Sequence, residues 1–247
     1  MHQPRIRMFA GPNGSGKSTI KDYLTVQQIG AYLNADELEK VLFRTHILDL
    51  KEYHPDLCAV ALVDFLYQKS KKKDHQVVPL LERNPTIKGQ SIIFQRQEVD
   101  SYLAARIIDF IRLEFLRLKI SFTFETVMSH ISKVEFLHDA KRYGFKTYLY
   151  YVATVDPEIN IGRVHYRVKM GGHPVPEQKI RERYYRSLDL LMQAVDHTDR
   201  AYIFDNSSHG EKASFLAEIE HAEVLKLNPI VERFPKWFVD RVLTEFT

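Results

Sequence analysis

The chain has 247 residues, 45% of them hydrophobic and 27% charged, which is ordinary globular usage and excludes a disordered or fibrous protein. A net charge of +3 suits a protein that handles phosphates and is too small to mark a nucleic-acid binder. Cys58 is the only cysteine, so an intramolecular disulfide and a cysteine-rich zinc site are excluded; the first residues carry no apolar signal core and no uncharged stretch reaches membrane-spanning length, so a cytoplasmic protein is expected.

In chain order, residues 6–10 read as a buried strand, followed by a glycine loop and an amphipathic helix at 18–25. A short strand at 31–34 leads to helices at 37–43 and 56–69. Residues 68–97 hold Lys69, Lys71, Lys72, Lys73, Pro79, Pro85 and Gly89, and read as an insertion between core elements. Its lysine run is expected to be a solvated surface; contact with RNA or an anionic partner is the alternative. Over 99–119, Leu103, Ile107, Ile108, Ile111, Phe115 and Leu118 fall on one helical stripe. Strands at 120–125, 147–154 and 201–205 alternate with helices at 132–143, 157–168 and 176–195, and Gly144 is a helix stop. From Glu211 on, the chain reads as helical, with a loop at Asn228-Pro229, and residues 234–238 pack the tail back on the body. Near-continuous apolar strands alternating with helices predict a five-stranded parallel α/β sheet with helices on both faces, in one domain over 1–247.

The segment Gly11-Pro12-Asn13-Gly14-Ser15-Gly16-Lys17-Ser18-Thr19 fits G-x-x-x-x-G-K-[ST] and stands after a strand and before a helix, as a phosphate loop requires. Backbone N–H groups converge on phosphate oxygens there, Lys17 bridges the β- and γ-phosphates, and the Ser18 hydroxyl is a Mg²⁺ ligand. A bound nucleoside triphosphate is the expectation. No N-K-x-D segment or strand ending in paired acids is present, which argues against a GTPase or a motor ATPase.

Asp36 follows the second strand, where the carboxyl ends of parallel strands face the ligand, and is the candidate base for an attacking hydroxyl. Asn34 and Glu37 also have helix-capping spacing. Glu125 tips an otherwise apolar strand, and Thr126, Ser129 and His130 follow it as polar contacts for an acceptor. Arg163 and Arg167, four apart on one helix face ahead of Gly171-Gly172, suit a cationic lid over the transferring phosphoryl. Arg181, Arg183 and Arg186 extend the basic surface as mostly solvated or paired charges. Asp205-Asn206-Ser207 stands where an adenine-side loop would fall, with Asn206 as its candidate nucleotide contact, or is a simple turn.

Taken in order, the phosphate loop, Asn34-Ala35-Asp36-Glu37, Phe124-Glu125-Thr126, the 163–168 segment with Gly171-Gly172-His173-Pro174-Val175-Pro176, and Asp205-Asn206-Ser207 resemble the zeta toxin family of phosphate-loop kinases, in its short branch of predicted ATPases. The likeness runs from about Arg5 to Ser207, interrupted by 68–97. It implies a nucleotide-kinase-like fold, ATP or GTP as donor, Mg²⁺, a sugar-nucleotide acceptor such as UDP-N-acetylglucosamine, and an antitoxin partner. By motif, Asp36 is the base, Glu125 an acceptor-site residue and Arg163 a lid arginine. His173 stands where some members carry a second arginine, and Arg167 is the residue to take over that role; His173 then belongs to the acceptor side. The function read from all this is transfer of the γ-phosphoryl of ATP to a hydroxyl of a small metabolite. The alternatives are a kinase for nucleic-acid ends or nucleotides, and a slow ATPase that works as a binding switch.

Overall fold

The computed structural model describes residues 3–73, 76–172 and 174–246, and the chain packs as two compact units, Met1–Gly30 with Ser121–Thr247, and Ala31–Ile120. The first unit opens with β1 (Arg5–Ala10), a 3-10 helix (Lys17–Tyr23) and α1 (Val26–Ile29). The second holds β2 (Ala31–Leu33), α2 (Ala35–Thr45), β3 (Ile47–Asp49), α3 (Ala59–Tyr67), β4 (Ser70–Lys73), β5 (Gln76–Pro79), β6 (Thr86–Lys88), β7 (Ser91–Ile93) and α4 (Ser101–Leu118). The chain then returns to the first unit with β8 (Phe122–Thr126), α5 (Ser132–Arg142), β9 (Lys146–Ala153), α6 (Pro157–Lys169), α7 (Glu177–Asp189), α8 (Leu191–Asp196), β10 (Arg200–Asp205), β11 (Ser214–Glu220), β12 (Val224–Leu227) and α9 (Lys236–Arg241).

In the first unit the strands run β12-β11-β10-β9-β1-β8. β1 lies between β8 and β9, parallel to both, and β10 continues the parallel set beyond β9. Ile6, Met8, Phe9 and Ala10 have no exposed surface, nor do Leu149, Tyr151, Val152 and Ala153 on β9, so both faces of these strands are covered. That burial explains the lack of polar alternation in their sequences. α5 and α8 pack on β9. Parallel strands carry their C-terminal ends at one edge, where the loops after Ala10, Thr126, Ala153 and Asp205 emerge.

Two expectations need correction here. The stretch after Glu211 is not mainly helical: β11 pairs antiparallel with β10 and β12 antiparallel with β11, extending the sheet, and α9 comes only at Lys236. Along 214–220 Leu216, Ala217 and Ile219 are buried, and the β-bulge between Ile203 and Phe204 breaks the two-residue period, so that the adjacent Leu216 and Ala217 are both covered. The segment after the glycine loop is a 3-10 helix rather than an α-helix; the Thr19 hydroxyl and N–H both bond Gly16 O, at 2.7 and 3.0 Å, and hold a tighter turn. The tail does pack back, since Trp237 and Phe238 are buried and the Trp237 indole N–H donates to Asp205 Oδ2 at 2.8 Å.

Within the second unit, the described part of residues 68–97 carries four short strands. β4 pairs with β5, and β6 with β7, which also pairs with β3. α4 begins where Asp100 accepts from the N–H groups of Tyr102 and Leu103, and every stripe residue from Leu103 to Phe115 is buried. In the lysine run, Lys71 pairs with Asp100 at 2.8 Å and Lys69 sits 4.6 Å from the centre of the Phe65 ring. Among the described residues no helix is long and apolar enough to cross a membrane.

Candidate nucleotide site

The glycine loop follows β1 directly and is held by polar side chains from α6, α7 and the residue after β10. Gly14 adopts φ +75°, and a Cβ there would stand 2.5 Å from Asn160 O, so this residue can only be glycine without moving α6. Gly16, at φ +88°, is crowded in the same way by the Asn206 amide. Asn160 is fully buried; its Nδ2 donates to Asn13 O at 2.6 Å and its Oδ1 accepts from the Thr154 hydroxyl. On the other side of the loop, Asn206 Nδ2 donates to Ser15 O at 2.8 Å and its backbone N–H to Ala153 O at 2.8 Å. The Arg183 guanidinium, from α7, donates to Asn13 Oδ1 at 3.3 Å.

What the loop leaves unsatisfied points to its ligand. Lys17 Nζ folds back to Gly11 O and Pro12 O, both at 2.9 Å, which places the ammonium across the loop. Ser15 Oγ is fully buried and has no hydrogen-bond partner among the described residues. A buried hydroxyl without a partner is costly, and an anion's oxygen would satisfy it. The donors therefore fit a phosphate chain. Ser18, next to Lys17, is exposed at the start of the 3-10 helix. Among the described residues no group of three or more His, Cys, Asp or Glu could hold a metal ion.

On the acceptor side, Glu125 and Thr126 lie in register with Phe9 and Ala10, level with the start of the glycine loop. Both are half-buried, as is Ser129; Thr126 Oγ1 accepts from Met128 N at 3.1 Å, and Met128 has φ +51°. His130 is turned to local use, its Nδ1 lying 3.0 Å from the Ser132 hydroxyl at the start of α5. His173 lies outside the described residues. Asp36 belongs to the second unit, exposed in the first turn of α2, where Asn34 Oδ1 accepts from Asp36 N at 2.9 Å and Glu37 N at 3.2 Å. Asn34 is thus the helix cap, and the Asp36 carboxylate is not needed for that purpose.

The lid arginines differ from one another. Arg163 is half-buried and donates to Asn206 O at 2.7 Å and Ser208 O at 2.9 Å, so it clamps the loop after β10. Burial lowers its pKa from the usual arginine value, and the Asp205 charge offsets part of that. Arg167, one turn on, is exposed; Gly171 and Gly172 close α6 behind it, their N–H groups bonding Val168 O and Arg167 O, both at 2.9 Å. Asn160 and Thr154 were not singled out from the sequence, and Arg183 only as part of the basic surface. One signal was available: Arg183 lies three residues after Ile180 and four before Ser187, both on the buried face of α7, whereas Arg181 is tied to Glu158 and Arg186 to Glu182.

No protein-family model matches the chain. An uncharacterised protein of Haemophilus influenzae is 35% identical over 182 residues, which is 74% of this chain and 94% of that protein. Among solved structures, a chain of the AvrRxo1-ORF1:-ORF2 complex crystallised with ATP aligns over 99% of this chain and 72% of its own, at a TM-score of 0.51 and 15% identity. A chain from the PezAT chromosomal toxin-antitoxin system of Streptococcus pneumoniae aligns over 87% and 72%, at a TM-score of 0.49 and 13% identity. The chain thus belongs to one family with the Haemophilus influenzae protein, and its mixed α/β fold is shared with the chain of the AvrRxo1-ORF1:-ORF2 complex.

Proposed function

We propose that this protein is a Mg²⁺-dependent phosphotransferase that moves the γ-phosphoryl of ATP to a hydroxyl of a small metabolite. The observation that carries the reading is the phosphate loop, with the Lys17 ammonium on the Gly11 and Pro12 carbonyls and a buried Ser15 hydroxyl that has no partner among the described residues, a donor set that suits a triphosphate. The similar fold crystallised with ATP supports the choice of donor. In the proposed reaction the acceptor oxygen forms a bond to the γ-phosphorus, the bond to the β-bridging oxygen breaks, and ADP leaves. The hydroxyl proton passes to Asp36, the proposed base, which lies outside the phosphate-loop unit. Bound Mg²⁺ would neutralise phosphate charge, with Ser18 as its protein ligand. Glu125, Thr126 and Ser129, at and after the end of β8, would bind the acceptor, with His173 assigned to the same side from the sequence. The resemblance to the zeta toxin family favours a UDP-sugar such as UDP-N-acetylglucosamine as acceptor and an antitoxin as protein partner. We read the whole chain as one kinase-like working unit in the cytoplasm, without nucleic acid or membrane as partner.

The test is incubation with γ-labelled ATP, Mg²⁺ and a cell metabolite extract, with the labelled species identified by mass spectrometry. A labelled small molecule that disappears with Lys17→Ala is the expected result. Release of free phosphate alone would replace this reading with that of a slow ATPase.

A further inference from the structure

The arginine that meets the transferring phosphoryl is a separate question from which helix carries the lid motif. Of the five arginines on α6 and α7, three are committed elsewhere and Arg167 is exposed near the end of α6. Arg163 holds the carbonyls of Asn206 and Ser208, Arg181 is bound to Glu158, and Arg186 pairs with Glu182 at 3.3 Å on its own helix. Arg183 differs: its guanidinium reaches the glycine loop itself, at the Asn13 side chain, from a half-buried position. Asn13 stands at the turn of the loop beside Gly14, four residues before Lys17, and its own carbonyl is pinned by Asn160. α7 is rigidly seated under this contact, since Ile180 is fully buried with Ile161 and Val164 of α6, and the Tyr184 hydroxyl donates to Thr154 O at 2.5 Å. Thr154 also bonds Asn160, so the base of α7 and the brace of the loop share one hydrogen-bonded chain.

Resting on the phosphotransferase reading above, we propose that Arg183 is the catalytic cation supplied in cis to the γ-phosphoryl, and that Arg163 is a positioning residue that holds the loop after β10. The Asn13 amide oxygen would be the resting partner of Arg183 and phosphoryl oxygens its working one. A guanidinium suits that exchange, because it stays charged and offers paired donors to oxygens on which charge develops during transfer. Its contribution belongs to the transition state, so it affects turnover rather than ATP affinity.

The experiment compares the parent with Arg183→Ala and Arg183→Lys in two measurements: kcat and KM for ATP in γ-phosphoryl release or transfer, and ADP affinity with and without aluminium fluoride, which mimics the transferring phosphoryl. Arginines of this kind contribute about 10³–10⁵ in kcat, and a fall of about a hundredfold or more with KM for ATP within threefold is expected for both variants. ADP alone should bind them as it binds the parent, while the tightening by aluminium fluoride is lost. Turnover within threefold of the parent, or retained tightening, overturns the assignment. So does an equal loss of ADP affinity and tightening, which would make Arg183 a structural support of the loop. If the alanine variant does not fold, the lysine variant is judged by the same criteria. A parent that turns over ATP while these variants do so too refutes only the role of Arg183; a parent that binds no nucleotide refutes the phosphotransferase reading and this assignment with it.

Discussion

Gly14 and Gly144 offer a paired test of how the phosphate loop is held. Both adopt nearly the same left-handed backbone, φ +75° and +78°, but a Cβ on Gly14 would meet Asn160 O at 2.5 Å and one on Gly144 would meet nothing within 4 Å. Alanine at Gly144 should therefore add only the left-handed penalty, about 1–2 kcal/mol. Alanine at Gly14 adds the same penalty and must also push the loop from α6, for roughly a further 1–3 kcal/mol of overpacking. For a chain of this size about 2–4 °C of melting temperature corresponds to each kcal/mol, so Gly144→Ala should lower Tm by a few degrees and Gly14→Ala by about twice that or more. Thermal unfolding and nucleotide titration on the same samples are the assays. ATP affinity should drop about tenfold or more in Gly14→Ala, since a loop displaced by even ~1 Å no longer aims its donors at the phosphates, and should be unchanged in Gly144→Ala. Equal melting losses, with ATP binding intact in both, would refute the idea that Asn160 sets the loop's shape.

Three further expectations can be measured directly. Asn206→Ala removes the 2.8 Å bond to Ser15 O at a buried site and should destabilise the protein by about 1–3 kcal/mol in chemical denaturation; no change would mean that the loop is braced from the Asn160 side alone. Asp36→Asn should leave ATP affinity within threefold and cut phosphoryl transfer about a hundredfold or more, and a loss of melting temperature with transfer intact would make Asp36 a structural residue. His197, whose pKa is lowered first by burial and then by His138, should make stability pH-dependent. With the folded pKa below the unfolded value of about 6.5, the unfolded state binds more protons, so stability falls as pH drops through about 6.5 and towards the folded pKa. His197→Gln should flatten Tm against pH in that window, and an unchanged slope would place the effect on other groups.

The sequence alone determined the parallel core and the loop it presents. β1, β8, β9 and β10 are legible because a strand covered on both faces must be apolar throughout, and Gly11 to Thr19 are legible because glycines and a lysine at that spacing serve one chemistry. The Asn34 cap and the Gly144 stop were readable for a similar reason, since each is a local hydrogen-bonding need met within a few residues. Tertiary structure decided what depends on partners distant in the chain. β11 became a strand by pairing with the edge of β10, and β12 by pairing with β11, and the uneven burial along 214–220 hides this from the sequence. Arginines that look alike along α6 and α7 were sorted by what faces them: the carbonyls of Asn206 and Ser208 claim Arg163, Glu158 claims Arg181, and Asn13, 170 residues away in sequence, draws Arg183 to the phosphate loop. A guanidinium's role follows from the oxygens within its reach, and those are fixed only when the chain has folded.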